Sequence, residues 1–274
     1  MKKLILFSLL FSLLLSTTCF AFGVDWNSNT ISAIGIGSAP EYAVKPGQAD
    51  ALARRAAVVD AYRNLASIVY GVEIENHTTV EQLAVKKDTI KTSVSGVIKN
   101  ARIVDEELLD NGNYQITLTM PVFGAHSLAS AVWGSDQNAV MMPTPPMKDD
   151  TLLPVPLPPE KEATATGTFS GVVVDCRGLG LERTMAPNII DTTGRVIYSS
   201  KDANNSTMIQ NGLVSYAKTD DPVDLKYAGN KPIVVKATAI KDFNPVISKE
   251  DGDKILAANQ EGHFFKVCSV VFLE

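Results

Sequence analysis

The first apolar stretch of the chain is continuous and not periodic. Leu4–Leu15 is interrupted only by Ser8 and Ser12, and Lys2 and Lys3 precede it. It is shorter than the roughly 20 apolar residues that cross a bilayer. With Cys19-Phe20-Ala21 behind it, the stretch predicts a secretory signal peptide over residues 1–21, cleaved between Ala21 and Phe22. Periodic patterns follow. TISAIGIGSAP (30–40) alternates as a strand, with Ile34 and Ile36 on one face. Gly47–Tyr70 predicts a long helix with an inward stripe of Leu52, Ala56, Val59, Ala66 and Val69, widened by Tyr62 and Leu65. Gly71 stops it as a C-cap glycine. Arg54, Arg55 and Arg63 fall on the other face, where Asp50 with Arg54 and Asp60 with Arg63 have helical pair spacing. VEIENHTTV (72–80) predicts a short strand. Asp88–Lys99 predicts a second helix with Ile90, Val94, Val97 and Ile98 inward. In ARIVDEELLDNGNYQITLTMPVFG (101–124), Asp110-Asn111-Gly112-Asn113 is a hairpin turn, since Asn-Gly accepts the positive φ such turns need. Ile116, Leu118 and Met120 then face one way, and Thr117 and Thr119 the other.

Periodicity stops near Met141. Of the 14 prolines, Pro143, Pro145, Pro146, Pro154, Pro156, Pro158 and Pro159 crowd into one segment. Proline fixes φ and removes a donor, so residues 141–166 predict an extended spacer crossed by few contacts. Beyond it, TFSGVVVDC (168–176) is a strand, and NIIDTTGRVIYSS (188–200) is two strands around Thr193-Gly194. Asn205–Tyr216 is mixed in character. KPIVVKATAIK (231–241) is nearly continuous and β-branched, which predicts a central strand. Ser248 precedes Glu250 and Asp251 as a helix cap, and FFKVCSVVFLE (264–274) ends as a buried strand. The predicted class is α+β: two domains, 22–140 and 167–274, each with helices on a mainly antiparallel sheet, joined by the proline-rich linker.

Composition narrows the function. The 274 residues are 45% hydrophobic and 20% charged, as in a folded protein, and the net charge is −5. Loss of Lys2 and Lys3 makes the exported chain more acidic still, at −7. No basic block exists, so nucleic acid lacks its usual electrostatic partner. Gly35-Ile36-Gly37 and Gly178-Leu179-Gly180 lack the third glycine of a dinucleotide loop and read as strand-end turns. His77, His126 and His263 have no metal-ligand spacing. Asp175 and Arg177 flank Cys176 at a strand end and read as an ion pair or a turn contact. No catalytic, cofactor-binding or metal residue is assigned, and no cofactor is expected. Cys176 and Cys268, the two cysteines of the exported chain, fit either a disulfide or two buried thiols. Cys19 as a lipidated N-terminus has Ser16 and Thr18 where lipoprotein signals carry other residues.

The blocks IGIGSAP, QADALARRAAVVDAYRNLASIVYGVEIENHTTV and DTIKTSVSGVIKNARIVDEELLDNGNYQITLTMPV occur in that order over about residues 31–124. Together they resemble the family of the bacterial twenty-kilodalton membrane-associated lipoprotein, and also the N-terminal domain of flagellar assembly protein T. VVVDCRGLGLERTMAPNIIDTTGRVIY and KPIVVKATAI resemble a region found behind such domains in exported proteins. The resemblance implies an envelope protein of the periplasm or outer-membrane periphery, without known catalysis and in some members tied to flagellar assembly. The leading expectation is therefore a non-enzymatic protein-binding component with envelope-protein partners. Arg54, Arg55 and Arg63 are its candidate docking face. A periplasmic small-ligand binder and a hydrolase remain as alternatives.

Overall fold

The computed structural model describes residues 22–43, 45–134 and 169–274. Cys19, Ala21 and the proline-rich linker lie outside them, while Phe22 is described and exposed. The first half contains strands β1 (Gly23–Asp25) and β2 (Thr30–Gly37), then helix α1 (Pro46–Tyr70). A small hairpin follows, β3 (Glu73–Glu75) and β4 (Thr78–Thr79), where one strand was expected. Its tip places Asn76 and His77 at φ 47° and 59°, the two-residue turn that matches strand twist. Helices α2 (Val80–Lys86) and α3 (Asp88–Lys99) lead to β5 (Arg102–Leu108), β6 (Tyr114–Pro121) and α4 (Leu128–Trp133). The sheet order is β1-β2-β6-β5, antiparallel throughout.

Ile116, Leu118 and Met120 of β6 are buried as expected, and so are Ile90, Val94, Val97 and Ile98 of α3. The face of α1 is different from the expected one. Ala53, Ala57, Ala61, Leu65 and Val69 are fully buried, whereas Val59 is 51% exposed and Leu52 is only half-buried. The glycines of β2 explain the shift. A Cβ on Gly35 would lie 2.0 Å from the Ala61 nitrogen, and one on Gly37 would lie 2.2 Å from the Ala57 nitrogen. Gly35-Ile36-Gly37 is thus neither a phosphate loop nor a turn. It lets the backbone of α1 lie directly on the strand, and only alanines fit that seam.

The second half comprises β7 (Gly171–Asp175), β8 (Ile189–Asp191), β9 (Val196–Tyr198), α5 (Asn205–Asn211), β10 (Ser215–Ala217), β11 (Pro232–Lys236), β12 (Ala239–Lys241), β13 (Asn244–Ile247), α6 (Lys249–Gly262) and β14 (Val270–Leu273). The class is α+β, as expected, but the sheets here are not mainly antiparallel. One has the order β10-β14-β7-β11 and is wholly parallel; the other, β12-β13-β8-β9, is mixed. KPIVVKATAIK is correspondingly not a central strand. It divides into β11, at the edge of the parallel sheet, and β12, at the edge of the mixed one. Val234 is 62% exposed, and Pro232 stands at the strand start, where a missing donor is tolerated. The centre is taken by β14 and β7, whose valines are buried on both faces.

The two halves do not stand apart. One hydrophobic cluster runs from Ile31, Leu65 and Leu128 of the first half to Met185, Leu213 and Phe272 of the second. Across the seam, Met185 N donates to Glu73 O at 3.1 Å, Ala186 N to Ile74 O at 2.8 Å and Gly124 N to Ile209 O at 2.8 Å.

Candidate interaction surface

The surface of the first half is set by how its sheet ends on either side. At one side, β1 covers β2 only over Thr30–Ser32. Farther along, side chains of α1 take over the work of a neighbouring strand. Asn64 Nδ2 donates to Ile34 O at 2.7 Å, and Ile36 N donates to Asp60 Oδ2 at 3.0 Å. Asp60 therefore serves the strand edge, and its expected pairing with Arg63 is not formed.

At the other side, every residue of β5 is exposed. Ile103, Val104 and Leu108 are 42%, 47% and 49% exposed. A bulge interrupts pairing with β6 between Ile103 and Asp105. α1 reaches β5 through one ion pair, in which Arg54 Nε and Nη2 hold Glu106 Oε2 at 3.0 and 2.7 Å. That bond raises the Arg54 guanidinium above its usual value. Arg54 is thus engaged with the sheet, with its side chain still part-exposed, whereas Arg55 and Arg63 make no such pair among the described residues. Those two stay exposed on the outer face of α1, beside Ala56 and Val59.

Several other titratable groups are tied into turns or buried. Asp175 pairs with Arg177 at 2.7 Å, as expected, which lowers the carboxyl, and Gly178 and Gly180 turn behind them at φ 78° and 69°. Asp191 has an enclosed side chain at the β8–β9 turn. The Thr193 hydroxyl, then backbone N–H groups of Thr193 and Arg195, hold it down to about 2. Burial pushes the Cys176 thiol up to about 12. Cys176 and Cys268 are both buried, and neither is in a disulfide. Cys176 follows the end of β7 and Cys268 precedes the start of its parallel neighbour β14, with Val270 opposite Val172. Parallel register thus separates them by roughly 15–20 Å along the strands, beyond any disulfide. His77, His126 and His263 occupy turns at φ 59°, 55° and 48°, and no cluster with metal-ligand spacing exists among the described residues. An open furrow of about 550 Å³ runs along α3 between Asp88, Lys91, Ser95 and Lys99.

Sequence reasoning missed the seam between the halves. Arg183, only 12% exposed at its side chain, binds Glu274 through Nε and Nη2, donates from Nη1 to Asn27 Oδ1 at 2.8 Å, and lies 5.2 Å over the Tyr216 ring. Trp26 bridges Phe123 and Tyr216, with ring centres at 6.3 and 6.5 Å. Tyr216 Oη accepts from Thr184 N and donates to Thr184 O, and burial raises its pKa. At the hairpin tip, His77 Nε2 lies 3.2 Å from Asp242 Oδ1, and Asn244 Nδ2 donates to Asn76 Oδ1 at 2.8 Å.

No helix among the described residues is long and apolar enough to cross a membrane. No curated protein matches the chain. Residues 171–274 match the family model for the second domain of Treponema pallidum Tp0624. Residues 27–120 match the family model of the LPP20 lipoprotein. The chain thus joins a first domain similar to the LPP20 lipoprotein family to a second domain similar to the second domain of Tp0624.

Proposed function

We propose that this protein is an exported component of the bacterial cell envelope that binds other proteins and performs no chemistry of its own. It works on the periplasmic side, at the outer membrane or in flagellar assembly. The lipoprotein family matched by residues 27–120 supports the envelope placement. The observation that carries the binding role is β5, an exposed seven-residue strand with three exposed aliphatic residues inside that matched stretch. A strand edge of this kind is a ready template for another chain. The test is photo-crosslinking in cells, with the crosslinker placed in turn at Val104 on β5 and at Val59 on α1, followed by membrane fractionation. Capture of a discrete envelope protein from either position is expected. Absence of any adduct at both positions, or a purely cytoplasmic distribution, would overturn the reading.

A further inference from the structure

Resting on that binding role, we propose that the outer edge of β5 receives an extended cationic segment of a partner protein, which adds to the sheet beyond β5. The strand is exposed at all seven positions, and its outer edge has no strand partner among the described residues. The opposite edge of the same sheet is closed by β1, Asp60 and Asn64. No side chain among the described residues bonds to the outer edge of β5 in the same way.

Charge selects the occupant. Asp105 and Glu107 stand opposite Thr117 and Gln115 of β6, on the sheet face turned away from α1. Neither forms an ion pair among the described residues, and their i,i+2 spacing sets the two carboxylates about 7 Å apart. On the other face lie Ile103, Leu108 and Glu106, the last already neutralised by Arg54 at 2.7 Å. Arg102, opposite Thr119, begins the same face as Asp105 and Glu107, so that face is cationic at its first residue and anionic beyond it, while the other is largely apolar. Charges and a bulge on an edge are the usual defence against self-pairing. Two copies of β5 centred antiparallel on Glu106 would set Asp105 of each copy against Glu107 of the other. The same charges favour a strand with Lys or Arg at alternate positions. Its cations then sit across from Asp105 and Glu107 at cross-strand contact distance, and its intervening apolar residues cover Ile103 and Leu108.

The test uses the exported chain and the nine-residue peptide Thr-Lys-Val-Lys-Val-Lys-Val-Lys-Thr, with a second peptide carrying Glu in place of Lys. Amide hydrogen exchange is followed residue by residue, and affinity by anisotropy of the labelled peptide. The Lys peptide should slow exchange within residues 102–108. The Asp105→Lys/Glu107→Lys variant should bind it about tenfold more weakly or worse, and should gain affinity for the Glu peptide. Both substituted positions are exposed, and an unchanged melting curve shows that the variant is folded. Equal binding of the two peptides, protection outside 102–108, no protection at all, or dimers paired through β5 would each overturn the proposal. An envelope partner crosslinked equally well by wild type and the double variant would leave the binding role standing and remove this assignment of β5. Protection of β5 by the Lys peptide with no envelope adduct at any position would do the reverse.

Discussion

Single residues set the spacing between layers in the first half. Gly35 and Gly37 let α1 rest on β2 because any side chain there would enter the helix backbone. Gly35→Ala should therefore cost at least the 1–3 kcal/mol or so typical of overpacking, since backbone yields less than a side chain tip. Gly96, inside α3, is the contrasting position: an added Cβ meets nothing within 4 Å. Gly96→Ala should stabilise by about 0.5–1 kcal/mol through helix propensity. Urea midpoints of the two variants, shifted in opposite directions, check both. Asp191 gives a pH signature. Its folded-state value is about 2 against an ordinary 3.8, so its bonds to Thr193 and Arg195 stabilise the fold above pH 4. That contribution fades as pH falls from about 4 through 2. Asp191→Asn should be less stable than wild type at pH 7, and the gap should close toward pH 2. Melting curves at both pH values would show it, and a constant gap would contradict it.

At the scale of an element, a helix face is decided by what it lies on. Leu65→Ala should cost about 2–5 kcal/mol, since Leu65 is fully buried beneath α1. Val59→Ala should change stability by no more than about half a kcal/mol, since Val59 faces outward. Thermal melts of the pair distinguish the observed stripe from its neighbour on the helix. Strand direction governs the cysteines in the same way. The parallel register of β7 and β14 holds Cys176 and Cys268 at opposite ends. With Cys176 raised to about 12, almost no thiolate is present at neutral pH. Both thiols should resist alkylation in the native protein and react together in urea. Mass spectrometry without prior reduction should show two adducts on the unfolded chain, and a bridged species would refute the register.

At the scale of the molecule, the halves share one core and a polar seam. Trp26 belongs to the first half, yet packs on Tyr216 of β10, which in turn meets Phe272 of β14 edge-on at 6.0 Å. Arg183 ties Asn27 to Glu274 across the same boundary. Trp26→Ala should therefore lower the melting temperature and speed amide exchange on β10 and β14 as well as on β1. The intact chain should unfold in one cooperative transition. Two separate calorimetric transitions, or exchange changes confined to the first half, would show that the shared cluster does not couple the halves.

What the sequence determined by itself is whatever its local chemistry dictates. Periodicity placed α1, α3, β6 and β14, Asn111-Gly112 placed a turn, Ser248 capped α6, and the ordered blocks of the first domain carried its family likeness. Tertiary structure decided the questions in which two local answers were equally good. The pattern of α1 supports either of two adjacent stripes, and only the glycines of a distant strand select the alanine one. KPIVVKATAIK reads as a central strand because β-branched residues suit any sheet. Its edge position depends on which strands lie beside it, and sequence separation hides that. The charges of RIVDEEL look like an ordinary solvated strand. Their meaning as a free edge appears only when β6 pairs on one side of β5 and no strand among the described residues pairs on the other. The seam around Arg183 and Trp26 was hidden for the same reason: its partners are joined by packing, and packing energy leaves no period in the chain.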